Sequence, residues 1–577
     1  MTVSLRIGNA SAALDASFDP LVARVLAHRG ISDPAQVNYQ LKQLLPYHQL
    51  KGIDTAVALL VDALESQQHI VIVGDFDCDG ATSTSLAILA LGAMGAKNVS
   101  YLVPNRFDFG YGLSTALVDY AQASQPDLIV TVDNGIASHA GVERAHELGI
   151  KVLVTDHHLA AETLPQADAI VNPNQPGCEF PFKSTAGVGV IFYVMSALRR
   201  QLHTQGWFKE QQIAPPNMAQ YLDLVALGTV ADLVPMEHNN RILVAQGVAR
   251  IRAGKARPGL LALLNIAKRQ HHNLQASDLG FSVGPRLNAA GRLDDMSLGI
   301  ECLLSDNEQI AAQLAQELDE LNAQRRHIEA DMQQQAGSIL TRLEVSQDEA
   351  MPKCVCLYHP DWHQGVVGIV ASRIKEKWHR PALVFAKGDA DTLKGSCRSI
   401  AGFHLRDALA AVDAQHPGLI IKFGGHAMAA GLSLKAEHLE AFKEALNDYA
   451  QEHLPDSLLA QEWRSDGELS AQQLQLNQAF LLQQAGPWGQ GFEEPTFHGR
   501  FMLVQQRIVG EKHLKLVLAH PLTGELVDAI HFNIDLAVWP THCEQADLVY
   551  RLDINEFRGR QSLQLMVQHI TPVLQAG

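Results

Sequence analysis

Residues 68–80 read QHIVIVGDFDCDG. The run Gln68–Gly74 is short, apolar and β-branched, the pattern of a buried strand. Three carboxylates, Asp75, Asp77 and Asp79, follow it within five residues. Left bare they would repel one another. At the end of a buried strand that arrangement is costly without a cation. Hard divalent ions accept carboxylate oxygens, and Mn2+ also accepts imidazole. Gly80 lets the chain turn sharply into a helix. A calcium loop would require a distal Glu, which residues 81–92 (ATSTSLAILALG) lack. A solvated turn is the competing reading of this string taken alone.

Outward from that stretch the pattern alternates. A small-residue helix is expected over Ala81–Met94, a strand over Val99–Val103 and a helix over Thr115–Ala123. Strands recur at Leu128–Val132, Lys151–Thr155 and near Ala169–Val171. Such alternation predicts βαβ units and a parallel sheet covered on both faces. Ligands of open parallel sheets bind beyond the carboxyl ends of the strands. Asp133 (TVDNG), Asp156-His157-His158 and Asp232 (GTVADLVP) each close an apolar segment. Singly, each reads as a helix cap or a surface group. Jointly, Asp75, Asp77, Asp79, Asp133, His157 and Asp232 are expected to ligate two ions, with Asp133 bridging. Two ions ~3.5–4 Å apart share a water, lower its pKa and clamp a phosphate. Hydrolysis of a phosphate ester or anhydride follows. Asp156 and His158 are assigned to catalysis, His158 contacting the phosphate or donating a proton.

The chain has 577 residues, 47% hydrophobic and 19% charged, enough for three or four domains of ordinary globular composition. Its start has no basic segment followed by an apolar run, and no stretch reaches ~18 apolar residues, so neither a signal peptide nor a membrane span is expected. A cytoplasmic protein is the expectation. The seven cysteines are odd in number and scattered, which predicts free thiols. Cys354 and Cys356 are read as alternate faces of a strand. The net charge of −17 argues against a protein that coats nucleic acid. Local basic patches would have to meet a polyanion. Residues 241–272 carry Arg241, Arg250, Arg252, Lys255, Arg257, Lys268 and Arg269 without an acid. They form either such a patch or a solvated helical face.

Five parts are expected: a cap of helices and loops (1–50), the parallel-sheet domain (51–240), a helical insertion with a long connecting helix (241–345), a smaller α/β unit (346–450) and a small β-barrel (456–577). The connecting helix, Ser305 to about Leu343, shows an apolar stripe of Ile310, Leu314, Leu318, Leu321 and Ile328, with Asp306 or Ser305 as N-cap. In the smaller unit a strand at Cys354–Tyr358 leads to a helix at Val366–Lys377 and a strand at Ala382–Phe385.

DFDCDG, TVDNG, DHH and GTVAD, in this order, resemble the DHH superfamily of phosphoesterases. VPNRFDFGYGL (103–113), STAGVGV (184–190) and GPRLNAAGRL (284–293) resemble its RecJ branch. DWHQGVVGIVASR (361–373), GSCRS (395–399) and FGGHAMAAG (423–431) resemble the DHH-associated C-terminal subdomain. The likeness covers roughly residues 50 to 450, and the terminal β region fits that branch's oligonucleotide-binding (OB) fold. Phe76 and Cys78 fall in variable slots of the first motif. The resemblance implies processive 5′-to-3′ digestion of single-stranded DNA to 5′-mononucleotides with Mg2+ or Mn2+, in repair and recombination. It also implies a single-stranded DNA-binding protein and repair helicases as partners. Polarity cannot be read from the residues themselves. A monomer is expected, since one chain carries every part.

Substrate contacts are expected from Arg106 and Tyr111, from Arg286, Asn288 and Arg292, and from Gln324 and Arg326 on the connecting helix. Arg106 alone would also suit a surface ion pair. The smaller unit adds His363, Arg373, Ser396, Arg398, Gly424, Gly425 and His426, the resemblance implying that this lobe binds the nucleotide or the strand's end. Phe497, Phe501, Phe557, Arg558 and Arg560 are candidates to grip the strand on the barrel, some of the phenylalanines being core instead. Binding should weaken steeply with salt. Other readings are a phosphodiesterase for short oligonucleotides or cyclic dinucleotides, a DNA-binding scaffold with a degenerate site, and an inorganic pyrophosphatase.

Overall fold

A computed structural model describes residues 2–9, 11–105, 109, 112–345, 351–510, 512–534, 539 and 543–573. The chain divides into two units, Met1–Asp319 with Trp463–Gly577, and Glu320–Glu462.

In the first unit the strands Val99–Leu102, Ile70–Val73, Leu128–Val132, Lys151–Thr155 and Ala169–Val171 lie side by side in that order, all parallel. Every residue of Ile70–Val73 and of Leu128–Val132 is buried. A parallel sheet covered on both faces needs continuous apolar strands rather than alternation. Each buried Val or Ile contributes ~1.5–3 kcal/mol, so Ile70–Val73 alone stabilises the sheet by up to ~6–12 kcal/mol. One face packs on Leu117, Val118 and Ala121 and on Val142 and Ala145 of two short helices. The helix Cys78–Ala93 packs in turn on Gly187–Gln205 and Leu222–Ala231. The last of these is apolar nearly all round, as a wholly buried helix must be.

From Ile70–Val73 the chain passes to the neighbour on one side, then crosses to Leu128–Val132 on the other. The crevice of an open α/β sheet opens at that switch, beyond the strands' carboxyl ends. Asp75 and Asp133 stand there.

The segment 279–293 is helical throughout, a single π-turn Leu279–Val283 running into an α-helix Gly284–Leu293. In the basic run 241–272, Arg252, Lys255, Lys268 and Arg269 stand at the surface, whereas other arginines are engaged by protein groups. Arg241 is buried, donating to the carbonyls of Met236 and Gln36, with its guanidinium 4.2 Å from the Phe492 ring centroid. Arg252 donates to the Leu274 carbonyl, Arg257 pairs with buried Asp223, and Arg269 pairs with Asp278.

The connecting helix is Glu308–Val345. Its N-cap is Asn307, whose Oδ1 accepts from the N–H groups of Gln309 and Ile310, and neither Asp306 nor Ser305. The buried stripe is shifted from the expected one. Ile310 is exposed, whereas Ala311, Ala315, Leu318, Asn322, Arg325, Glu329, Met332, Ala336 and Leu340 are buried. Small and mutually satisfied polar groups hold the buried face: Arg325 pairs with Glu329 and donates to Asn322 at 2.6 Å. A count of large apolar residues misses them.

In the second unit the strands run in the order Lys422–Gly425, Ala429–Lys435, Thr392–Arg398, Ala382–Lys387, Val355–Tyr358. The last two are parallel and the rest antiparallel. Cys354 and Cys356 both face the core of this unit, correcting the reading of alternate faces, since a period of two puts residues two apart on one side. All seven cysteines are free.

Phe497–Val509, His513–Ala519, Leu526–His531, Arg560–Pro572 and Gln545–Phe557 close a five-stranded barrel. The first fifty residues are tied to this end of the chain. The strand Thr2–Leu5 pairs with Glu462–Ser465. The Arg29 guanidinium holds both oxygens of buried Asp466, at 2.9 and 3.0 Å, and His28 Nδ1 lies 3.0 Å from the first of them. Among the described residues no helix is long and apolar enough to cross a membrane.

Candidate metal centre

The helix after the first strand begins at Cys78 rather than Ala81, because Asp77 caps it. Asp77 Oδ1 accepts from the N–H groups of Asp79 and Gly80, at 2.9 and 3.0 Å, satisfying two otherwise orphaned donors. Asp79 therefore lies inside the first turn and points to the next helix. Its Oδ2 accepts from Gly187 N (2.7 Å) and its Oδ1 from Val188 N (2.9 Å), at the positive end of Gly187–Gln205. Asp232 is the C-cap of Leu222–Ala231.

Asp133 follows its strand with φ +61°. A left-handed backbone costs a non-glycine residue about 1–2 kcal/mol, a strain typical of sites where a side chain must be aimed. Asn134 holds the strand ends together, donating through Nδ2 to the carbonyls of Val73 (3.0 Å) and Val132 (2.9 Å).

These side chains meet. His157 Nε2 lies 3.1 Å from Asp133 Oδ1, 3.5 Å from Asp232 Oδ2 and 3.9 Å from Asp79 Oδ2. Three overlapping groups have ligand atoms within 4.8 Å of one another: Asp75, Asp77 and Asp133; Asp79, His157 and Asp232; and Asp133, His157 and His158. Burial raises the Asp79 carboxyl to about 7, with Asp77 adding repulsion that the Val188 and Gly187 amides and His158 oppose. Burial, then the charges of Asp79, Asp77 and other neighbouring carboxylates, push Asp133 and Asp232 well above the carboxylate range. So many acids crowded into a buried space is the environment a pair of divalent cations relieves. The donors, oxygens with one imidazole, suit Mn2+ or Mg2+.

Asp156 stands behind the cluster. Its Oδ2 accepts from Ile136 N, and its Oδ1 accepts from the backbone N–H groups of His157 and His158 and lies 2.8 Å from His158 Nδ1. These contacts hold the His157-His158 segment against the cluster. Burial presses His158 toward neutrality, but the Asp156 hydrogen bond and charge outweigh it and lift His158 to about 9. Asp156 thus favours the charged form of His158 at the rim of the carboxylates.

Glycines make the close approach possible. A Cβ on Gly187 would lie 2.7 Å from Asp133 Cβ and Oδ1, and one on Gly228 would lie 2.8 Å from Asp79 Oδ1. A Cβ on Gly291 would meet the Phe76 carbonyl at 1.8 Å, so Gly284–Leu293 lies against the first motif. Asn288 Oδ1 accepts from Cys78 N at 2.8 Å from that helix.

Three family models match the chain: the DHH family N-terminal domain over residues 69–229, the DHHA1 domain over 351–452 and the RecJ OB domain over 465–569. The single-stranded-DNA-specific exonuclease RecJ of Salmonella typhimurium is 55% identical over 569 residues, covering 98% of each chain. The chain belongs to the RecJ family. The Escherichia coli member is 54% identical over 564 residues, again covering 98% of each chain. The crystal structure of Thermus thermophilus RecJ in complex with Mn2+ matches the RecJ-family chain with a TM-score of 0.78 at 31% identity, covering 98% of this chain and 77% of that one. Its Mg2+ complex gives 0.72 at 29% identity, covering 98% and 76%.

The remaining expected site residues of this RecJ-family chain divide. Arg106 and Tyr111 lie outside the described residues. Arg286 pairs with Asp319 at 2.8 Å, Asn288 secures the first motif, and Arg292 is half-buried on the same helix. Gln324 and Arg326 are exposed, and Arg373 pairs with Glu329 and Glu376. In the smaller unit Ser396, Gly431 and Gly424 align across three strands. Arg398 donates to Ser396 Oγ at 3.2 Å. Gly425 has φ +137°, and a Cβ there would lie 2.4 Å from Ala430 Cα. His426 sits exposed on the following turn, and His363 is half-buried at the loop before Val367–Trp378. On the barrel, Phe497 and Phe501 are core, packed on Tyr550, whereas Phe557 is exposed beneath Arg558. Arg560 is exposed. The sequence reading missed Asn134, Gly187, Gly228 and Gly291. Gly187 and Gly228 sit inside the quoted STAGVGV and GTVAD strings, so the signal was present without its reason.

Proposed function

We propose that the chain is a single-strand-specific DNA exonuclease that works 5′ to 3′ and releases 5′-mononucleotides, in DNA repair and recombination. The observation that supports it is the meeting of Asp75, Asp77, Asp79, Asp133, His157 and Asp232 around one small volume at the sheet's switch point. Those residues are assigned as ligands of two ions, Mn2+ or Mg2+. When bound, such a pair supplies the nucleophile and neutralises charge on the phosphodiester. The chain's own residues do the rest. Asp79 is fixed by two amides, Asp133 is aimed by its strained backbone, and His157 joins the three carboxylates. His158, oriented by Asp156 through Nδ1, is assigned to offer an N–H donor to a phosphate oxygen or to the departing group.

Arg106, Tyr111, Arg286, Asn288, Arg292, Gln324, Arg326, His363, Arg373, Ser396, Arg398, Gly424, Gly425 and His426 are assigned to the strand or its support. The division into 1–50, 51–240, 241–345, 346–450 and 456–577 is part of the same reading. So are a cytoplasmic monomer and docking to a single-stranded DNA-binding protein and repair helicases.

The test is product analysis with Mn2+ on long single and double strands labelled at either end, beside a dinucleotide. Mononucleotides released from the 5′ end of the single strand are expected. Asp77→Ala should abolish release yet leave binding of the strand in EDTA. Release from the 3′ end, or turnover of the dinucleotide alone, would overturn the reading.

A further inference from the structure

Three asparagines near the metal centre share one arrangement. Each turns the two N–H groups of its carboxamide onto backbone carbonyls of two different segments. Asn134 Nδ2 does so with Val73 and Val132. Asn174 Nδ2 donates to the carbonyls of His157 and, at 3.0 Å, Lys183. Asn240 Nδ2 donates to those of Ser184 and Pro235, each at 2.9 Å. Aspartate, of the same shape, has no donor for either carbonyl. The other end of the group is sacrificed. Asn134 Oδ1 and Asn240 Oδ1 are buried without a hydrogen-bond partner. A buried acceptor left unmet is destabilising, so fold stability alone does not account for amides at these places.

The segments joined in this way carry the assigned ligands, and they sort by ion. Asn134 ties the strand end that leads to Asp75 and Asp77 to the one that leads to Asp133, and these three form one close group. The second group is Asp79, His157 and Asp232. Asn174 fastens the His157 carbonyl to Lys183. Asn240 fastens Ser184 to Pro235, three residues beyond Asp232. Residues 183–184 lead directly to Gly187 and Val188, whose N–H groups hold Asp79. The stretch 183–188 is therefore a common reference for all three ligands of the second group. Buried Asn172 supports the loop, accepting from Asn174 N at 2.7 Å and donating to the His158 carbonyl at 3.0 Å. We propose that Asn174 and Asn240 are positioning residues for one ion of the pair, the ion held by Asp79, His157 and Asp232. The two ions then rest on separate scaffolds, and either can be weakened without the other. This rests on the ligand assignment and deepens it.

Calorimetric titration of Mn2+ into metal-free, full-length protein reads both sites without turnover. Wild type should take up two ions. Asn174→Ala should weaken one of them by about 10–100-fold, as loss of support behind a ligand does, and leave the other within about threefold. Adding Asn240→Ala should weaken that same ion further. Adding Asn134→Ala instead should weaken the second ion as well. Gln175→Ala is the control for a merely structural loop. Gln175 is buried beside Asn174 and donates to the carbonyls of Lys51 and Ile170, so its loss should lower the melting temperature and move neither constant. Asn174 is only half-buried, and Asn174→Ser carries the same measurement if the alanine variant does not fold. A wild type that takes up fewer than two ions would sink the ligand assignment and this inference with it. A two-ion wild type whose Asn174 variant loses both affinities together, or neither, would overturn the separate scaffolds alone.

Discussion

Replacing Gly187 by alanine tests the metal centre with one methyl group. The new Cβ would stand 2.7 Å from Asp133 Cβ and Oδ1 and 2.9 Å from its Cγ, where ordinary contact begins at 3.4 Å. The difference, 3.4 − 2.7, requires a shift of about 0.7 Å. Asp133 cannot easily supply it, being buried on a strained backbone. Moving the helix instead displaces Gly187 N, which donates to Asp79 Oδ2 at 2.7 Å. Either way two assigned ligands lose register. Misplacement approaching 1 Å costs on the order of 100-fold in rate, and disturbed support of ligands costs ~10–100-fold in metal affinity. Calorimetric titration of Mn2+ and the initial rate on a single strand would both be measured. Gly92→Ala is the control, because a Cβ there meets nothing within 4 Å in the last turn of Cys78–Ala93. Its helix should gain about 0.5–1 kcal/mol with no change in rate. Should Gly187→Ala bind Mn2+ like wild type and keep its rate within twofold, the close approach of Asp133 to that helix would be irrelevant and the reasoning wrong.

Asn288→Ala removes the acceptor of the Cys78 amide, leaving a buried donor unmet at a cost of about 1–3 kcal/mol. Turnover should fall more than DNA affinity, whereas a residue that only contacts DNA would show the reverse. Mn2+ at 100 times its Kd should stabilise the protein by about 2.7 kcal/mol, read as a rise in melting temperature that EDTA abolishes. Asp466→Asn should cost about 3–5 kcal/mol, because it strands the buried Arg29 charge. Burial opposes the Asp466 carboxylate, but Arg29, the Thr496 amide and His28 outweigh it and hold its pKa below the usual value. The stability it contributes is thus complete above the unfolded carboxyl pKa of about 4 and is lost as pH falls through the lower folded value. Thermal unfolding of wild type should show that acid loss, and the variant should lack it.

The sheet and its acids were legible because each acid ends a continuous apolar run, a pattern that both period and burial enforce. Asp133 and His157 needed only that rule and the location of crevices in parallel sheets. Asn288 and Asp156 also hold a partner's backbone or ring. Sequence spacing does not carry that information. Arg241 and Arg257 of the basic run are engaged instead by Phe492, the Met236 carbonyl and Asp223, partners that the run itself does not reveal. The stripe of the connecting helix was mis-phased for a related reason. Ala311 and Ala315 pack closely because they are small, and Arg325 is tolerated inside because Glu329 and Asn322 meet it.

The pairing of Thr2–Leu5 with Glu462–Ser465, fastened by Arg29 and Asp466, has a kinetic corollary. Residues separated by 437 positions must find each other before that contact repays anything. On the ribosome the opening segment therefore waits, uncommitted, until the barrel region emerges. Native closure of this seam should be a late event, and a barrel cut from its leading residues should be less durable than the same barrel with them supplied in trans.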